Sequence, residues 1–190
     1  TLVFCPKTHQ LDLPALIKIL ETKQGPLMIN LPWGHNESGF FEDFTQLFSS
    51  LKQYEDIWIH VDAAQSLGKI PINLRELPIT SMSFSGHKIG APIGIGALYV
   101  NSRPSKYYTP LIAGGGQQQN RRSGTLSVPL IRSFTKALEL NCLKQWQKVA
   151  MLQQELADFL EESGFFEKVP LEKTLGHILA VVCIKDSAKV

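Results

Sequence analysis

Two neighbouring stretches place ionisable side chains where strands end. In "IHVDAAQSLGK" an apolar run stops at Asp62, and in "MSFSGHKIGAP" a strand-like stretch gives way to His87 and Lys88 in a loop of few charges. In an open parallel sheet, ligands gather beyond the carboxyl ends of the strands, where loops and helix starts offer unpaired N–H groups and side chains. The loop "HNESG", the end of "IHVD", the loop "SGHK" and the loop "GGGQ" all fall at such positions and can converge on one pocket. A lysine in that pocket loses hydration, which lowers its ammonium pKa toward the range where the free amine attacks a carbonyl to give a Schiff base. Asp62 supplies a fixed negative charge that would hold a proton on a heterocyclic nitrogen and make that ring an electron sink. Ser85, His87 and nearby backbone N–H groups suit a phosphate.

Each residue has a plainer reading by itself. A lone lysine after a strand is usually a solvated surface residue, and a lone aspartate there is a turn former or helix cap. His87 would more often be a structural hydrogen-bonder, Gln65 a helix-face residue and "GGGQ" a flexible turn. The conjunction is what carries specificity.

Such side chains need elements to hold them. Asp12 precedes "LPALIKIL", where Pro14 in the first turn and Leu13, Leu16, Ile17 and Leu20 predict an N-capped amphipathic helix. "PLMINLP" reads as a short buried strand, and Phe41, Phe44, Leu47, Phe48 and Leu51 share one helical face over 40–51. "DIWIHVD", "SMSFS" and "GIGALYV" read as further strands, with a short helical turn at "LRELPI". Strands alternating with helices predict an α/β fold with a mostly parallel central sheet flanked by helices. Over 129–164, Ile131, Phe134, Leu138, Trp146, Val149, Leu156, Phe159 and Leu160 recur at helical spacing, so one long helix or a kinked pair is expected. The strand "HILAVVCI" follows. The chain thus divides into part of a large domain (1–128), a linking helical stretch (129–164) and the start of a small C-terminal α+β domain (165–190).

The 190 residues, 44% of them apolar, suffice for one to one and a half domains. Nineteen basic against seventeen acidic residues give a formal +2, and no basic run exceeds Arg121-Arg122, so nucleic acid and membrane surfaces are not expected partners. Cys5, Cys142 and Cys183 are far apart and lack C-x-x-C spacing, which argues against disulfides and a metal site and for a reducing compartment, the cytoplasm. Cys183, within an apolar strand, reads as buried. No stretch approaches the roughly 20 apolar residues of a membrane span. "TLVFCP" at the start reads as a strand already under way and "HILAVVCIK" near the end as an apolar strand with little after it to pair with, which predicts an internal segment of a longer polypeptide.

"HVDAAQSLGKIPINL", "SMSFSGHKIGAPIGIGALYV" and "GGGQQQNRRSGT" together resemble the cysteine desulfurase family, within the class V aminotransferases of fold-type I pyridoxal phosphate enzymes. "LDLPALIKIL" is similar to that family's helix before the central strands, and "HNESG" to its N-N-E-x-G loop. The resemblance implies a pyridoxal 5'-phosphate cofactor, L-cysteine as substrate, a sulfur-acceptor protein as partner and a homodimer. It implies that Lys88 forms the Schiff base, Asp62 pairs with the pyridinium nitrogen and Gln65 donates to the phenolic oxygen. Asn36 would contact cofactor or substrate near that oxygen, Ser85 and His87 would hold the phosphate, and Thr125 would reach the phosphate of the other subunit. The family's persulfide-carrying cysteine sits in an S-G-[SA]-x-C loop, and none of the three cysteines has those surroundings. Ala91 and Ile93 depart from the family's H-K-x-x-G-P-K-G-x-G, as His35 does from the first asparagine of its N-N-E-x-G. Two other readings compete: another class V member, such as a selenocysteine lyase or small-amino-acid aminotransferase, or a catalytically incomplete homologue that scaffolds a partner.

Overall fold

The computed structural model describes residues 11–184 apart from 24, 52, 55–56, 102–108, 142 and 172. "TLVFCP", Cys5 and Cys142 lie outside the described residues. Helix α1, Leu13–Thr22, begins where the sequence predicts. The Asp12 carboxylate accepts a hydrogen bond from the Ala15 N–H at 3.0 Å, supplying one of the orphan donors of the first turn. Its Leu16 and Leu20 are buried.

Four strands form the main sheet: β1 Leu27–Pro32, β2 Ile57–Asp62, β3 Ser81–Ser85 and β4 Gly96–Val100, side by side in chain order. The first three run parallel and β4 is antiparallel to β3. Period-2 alternation sorts the residues of β2, sending Ile59 and Val61 to a core that also holds Leu16, Leu20, Leu31, Phe44, Leu47, Phe48 and Met82. Each such side chain contributes on the order of 1.5–3 kcal/mol by leaving water. The opposite face carries Trp58, His60 and Asp62. Strand β1 differs from the continuously buried strand expected of "PLMINLP": Met28, Asn30 and Pro32 are exposed, because α1 and helix α2, Thr45–Leu51, cover one face of it.

The helix expected over 40–51 starts five residues late. Phe40 bridges to Thr174, and the Phe41 N–H donates to the Lys173 carbonyl at 3.0 Å. Backbone committed to a distant loop cannot also close helical turns. "LRELPI" forms a hydrogen-bonded turn, closed from the Glu76 N–H to the Asn73 carbonyl. The stretch 129–164 is a pair of helices, here α4 (Val128–Leu140) and α5 (Leu143–Glu162). They break at Asn141, whose side chain accepts from Trp146 Nε1 at 2.8 Å. Strands β5, Phe166–Lys168, and β6, Val181–Cys183, form a separate antiparallel pair. The "HILAVVCI" strand shrinks to its last third because the Ile178 carbonyl is taken by Gln153 Nε2. Cys183 is exposed, not buried as expected, since it lies in a two-stranded sheet that encloses little. Among the described residues no helix is long and apolar enough to cross a membrane.

Candidate active site

Parallel register brings three strand ends to one edge. Pro32 lies beside Asp62, Asp62 beside Ser83, and the Trp33 N–H continues the ladder to the Asp62 carbonyl at 2.8 Å. The Asp62 side chain is exposed. Its Oδ1 accepts from the Ala64 N–H at 2.9 Å, closing a turn over the strand end, and from Ser83 Oγ at 3.5 Å.

Lys88 sits on the single 3₁₀ turn Gly86–Ile89 that follows β3 directly. A Cβ at Gly86 would stand 2.9 Å from the Ile95 carbonyl oxygen, so only glycine lets the turn fold back this tightly. Gly90 ends the turn at φ 91°, in the left-handed region. Ile89 and Ala91 anchor it by packing on Phe134 of α4. Ala91, where the family has glycine, is buried and fills that contact. The anchoring turns the lysine outward: Lys88 is exposed, contrary to the desolvated lysine expected from the sequence. Beside it Ser85 Oγ and His87 Nδ1 pair at 2.9 Å.

Gln65 is buried, and its Oε1 meets Lys69 Nζ at 3.5 Å and His177 Nε2 at 3.3 Å. An ammonium only donates, so this contact fixes the amide: oxygen toward Lys69, NH₂ away from it. Trp146 completes the cluster, with Lys69 Nζ 5.1 Å from its ring centroid and His177 edge-on to it. Burial first, then the charge of Lys88, lowers the Lys69 pKa to about 8. Burial, then Lys69, then Lys88 lowers that of His177 to about 4. Three nitrogen bases therefore crowd one region, and a bound anion would relieve their repulsion.

Asn36 and Thr125 are exposed on loops, and among the described residues no hydrogen bond joins either to the other candidates. The Asn36 loop is held by its neighbour: His35 Nδ1 accepts from the Glu37 and Ser38 N–H groups at 3.4 and 3.2 Å. Ahead of Thr125, "GGGQQQN" carries a single turn, α3 (Gln117–Asn120), with Gln118, Gln119 and Asn120 at φ 53°, 58° and 61°. Each such residue costs about 1–2 kcal/mol. The 520 Å³ cavity at the opposite, amino edge of the sheet, lined by Tyr54, Arg75, Tyr99 and Asn101, touches none of the candidates. Parallel sheets bind at the other edge.

The family model of the class-V aminotransferases (Aminotransferase class-V) matches residues 3–181. The chain belongs to this family. Cysteine desulfurase IscS of Rickettsia typhi is 43% identical over 115 residues, 60% of this chain and 28% of that protein. The IscS of Dictyoglomus turgidum is 38% identical over 137 residues, 72% of this chain and 34% of that protein. The crystal structure of a NifS-like protein from Rickettsia africae superposes with a TM-score of 0.88 at 28% identity, covering 98% of this chain and 52% of that one. The chain therefore spans about half or less of these relatives. The class-V likeness extends to the fold, a mostly parallel sheet flanked by helices. Four residues beside the candidates had no role of this kind assigned from the sequence: His60, Lys69, Trp146 and His177. His60 and Lys69 stand inside quoted motifs, and strand alternation alone puts His60 on the face of Asp62.

Proposed function

We propose that the complete protein is a pyridoxal phosphate-dependent cysteine desulfurase, taking sulfur from L-cysteine to leave alanine and a persulfide that passes to an acceptor protein. The cofactor, when bound, supplies the electron sink that stabilises negative charge at the substrate carbon. Asp62, exposed at its strand end with its carboxylate steadied by Ala64 N–H and Ser83, would hold the ring nitrogen protonated. Lys88 provides the amine for the aldehyde and, once released, moves the proton at the substrate carbon. Gln65 offers its NH₂ to the phenolic oxygen because Lys69 and His177 occupy its carbonyl. The Ser85–His87 pair, with backbone N–H groups of the 3₁₀ turn, would take the phosphate, and Asn36 would contact cofactor or substrate near the phenolic oxygen. Thr125 would serve the phosphate of a second subunit in a homodimer. None of Cys5, Cys142 and Cys183 has the sequence surroundings of the attacking thiolate's loop, and a reducing setting such as the cytoplasm would keep that residue a thiol.

The observation that carries this reading is the gathering of Lys69 and His177 on the Gln65 amide oxygen, within electrostatic reach of Lys88, which suits an anionic cofactor. The relatives are desulfurases, which favours this activity over selenocysteine lysis, transamination or a scaffold role. Sulfide release from L-cysteine under reductant by the complete enzyme tests it. Lys88→Ala is expected to abolish release, and equal rates would refute the proposal.

A further inference from the structure

Alternation in two adjacent strands builds a ladder that ends at Asp62. β2 puts Trp58, His60 and Asp62 on one face, and β3, reading "SMSFS", puts Ser81, Ser83 and Ser85 on the same face. Register sets His60 beside Ser81 and Asp62 beside Ser83. Trp58 Nε1 lies 2.9 Å from Ser81 Oγ, Ser81 Oγ 2.8 Å from His60 Nδ1, His60 Nε2 3.3 Å from Ser83 Oγ, and Ser83 Oγ 3.5 Å from Asp62 Oδ1. On the other side β1 sets Asn30 beside His60 and Pro32 beside Asp62, and neither ionises.

The two ends fix the direction of the chain. An indole N–H can only donate and an ionised carboxylate can only accept. The groups between them, two hydroxyls and a neutral imidazole, each donate once along the chain. Every rung must then point from Trp58 toward Asp62, which puts the imidazole proton on Nε2. Such a chain polarises in one direction and strengthens rung by rung.

We propose that His60 is a positioning residue, relaying a one-way hydrogen-bond chain from Trp58 through Ser81 and Ser83 that orients the Asp62 carboxylate toward the cofactor's ring nitrogen. The role rests on the desulfurase reading, in which Asp62 serves that nitrogen. Free of the chain, the carboxylate keeps its Ala64 N–H bond but can rotate about it.

The complete enzyme with pyridoxal phosphate tests this through Ser83→Ala, His60→Leu and the double variant, each confirmed as folded by circular dichroism. Each single change is expected to weaken cofactor binding about tenfold. The double variant should be no weaker than His60→Leu alone, because a serial chain breaks only once. His60→Gln, whose amide N–H stands in for Nε2–H, should restore most of the affinity. In ¹⁵N spectra of the histidine-labelled enzyme without cofactor, His60 should show a protonated Nε2 and a bare Nδ1. Ser83→Ala, which cuts the imidazole off from the obligate acceptor Asp62, should mix the tautomers. Additive losses, equal behaviour of Leu and Gln, or a proton on Nδ1 would each overturn the relay. Failure of the unmodified enzyme to bind pyridoxal phosphate would overturn the functional reading instead and the positioning role with it, and the tautomer spectra still stand apart from that result.

Discussion

Lys69 carries the burial that the sequence assigned to Lys88, and its consequences are local and electrostatic. Its ammonium is the second cause, after burial, of the low His177 pKa. Lys69→Met removes that charge while keeping the apolar stem, so the His177 pKa is expected to rise from about 4 part of the way to 6.5. Proton NMR titration of the imidazole reads this directly, and no rise would mean burial acts alone. His177 also links stability to pH. Unfolded, it binds a proton near 6.5, and folded only near 4. Between those values the unfolded chain holds the extra proton, so acidification through this window favours unfolding. The urea midpoint is expected to fall from pH 6.5 to pH 4, and to fall less in a His177→Gln variant, which keeps an N–H donor but does not titrate.

At the level of elements, the turn bearing Lys88 depends on a contact that is small in area. Ile89 and Ala91 pack on Phe134, a cluster separate from the main core. Phe134→Ala is expected to cost about 3 kcal/mol as a buried aromatic truncation. It should also weaken pyridoxal phosphate binding more than Leu16→Ala, which opens a comparable hole beneath the sheet but far from the turn. Calorimetric melting temperatures and equilibrium binding compare the two. If both variants lose affinity in proportion to stability alone, the anchoring role fails. The elements show where sequence suffices. Alternation in "DIWIHVD" and "SMSFS" and the cap at Asp12 are local signals, and the structure follows them. The late start of α2 and the shortened final strand are not local. Phe41 N–H and the Ile178 carbonyl bond to residues far along the chain, which no periodicity reports.

Across the whole molecule, the candidate site is legible only where it lies in one stretch of chain. Asp62, Ser85, His87 and Lys88 are strand-end residues, so parallel pairing alone brings their elements to one edge. The cluster around Gln65 joins residues 112 positions apart, a separation that only the folded chain closes. Trp146 is its keystone, because it reaches from α5 to cover Lys69 and edge His177, steadied by Asn141 at the helix break. Two effects of this indole on Lys69 oppose each other. Cation–π attraction favours the ammonium by about 0.5–1 kcal/mol, which alone would raise its pKa by less than one unit. Burial, the leading cause, has brought the pKa from 10.5 down to about 8. The second effect is the larger, so Trp146→Ala, by opening the amine to water, is expected to raise the Lys69 pKa despite the lost attraction. Lysine Nζ chemical shifts followed from pH 7 to 11 would show the change, and a further fall in the Lys69 pKa would mean that the ring stabilises this cation more than it desolvates it.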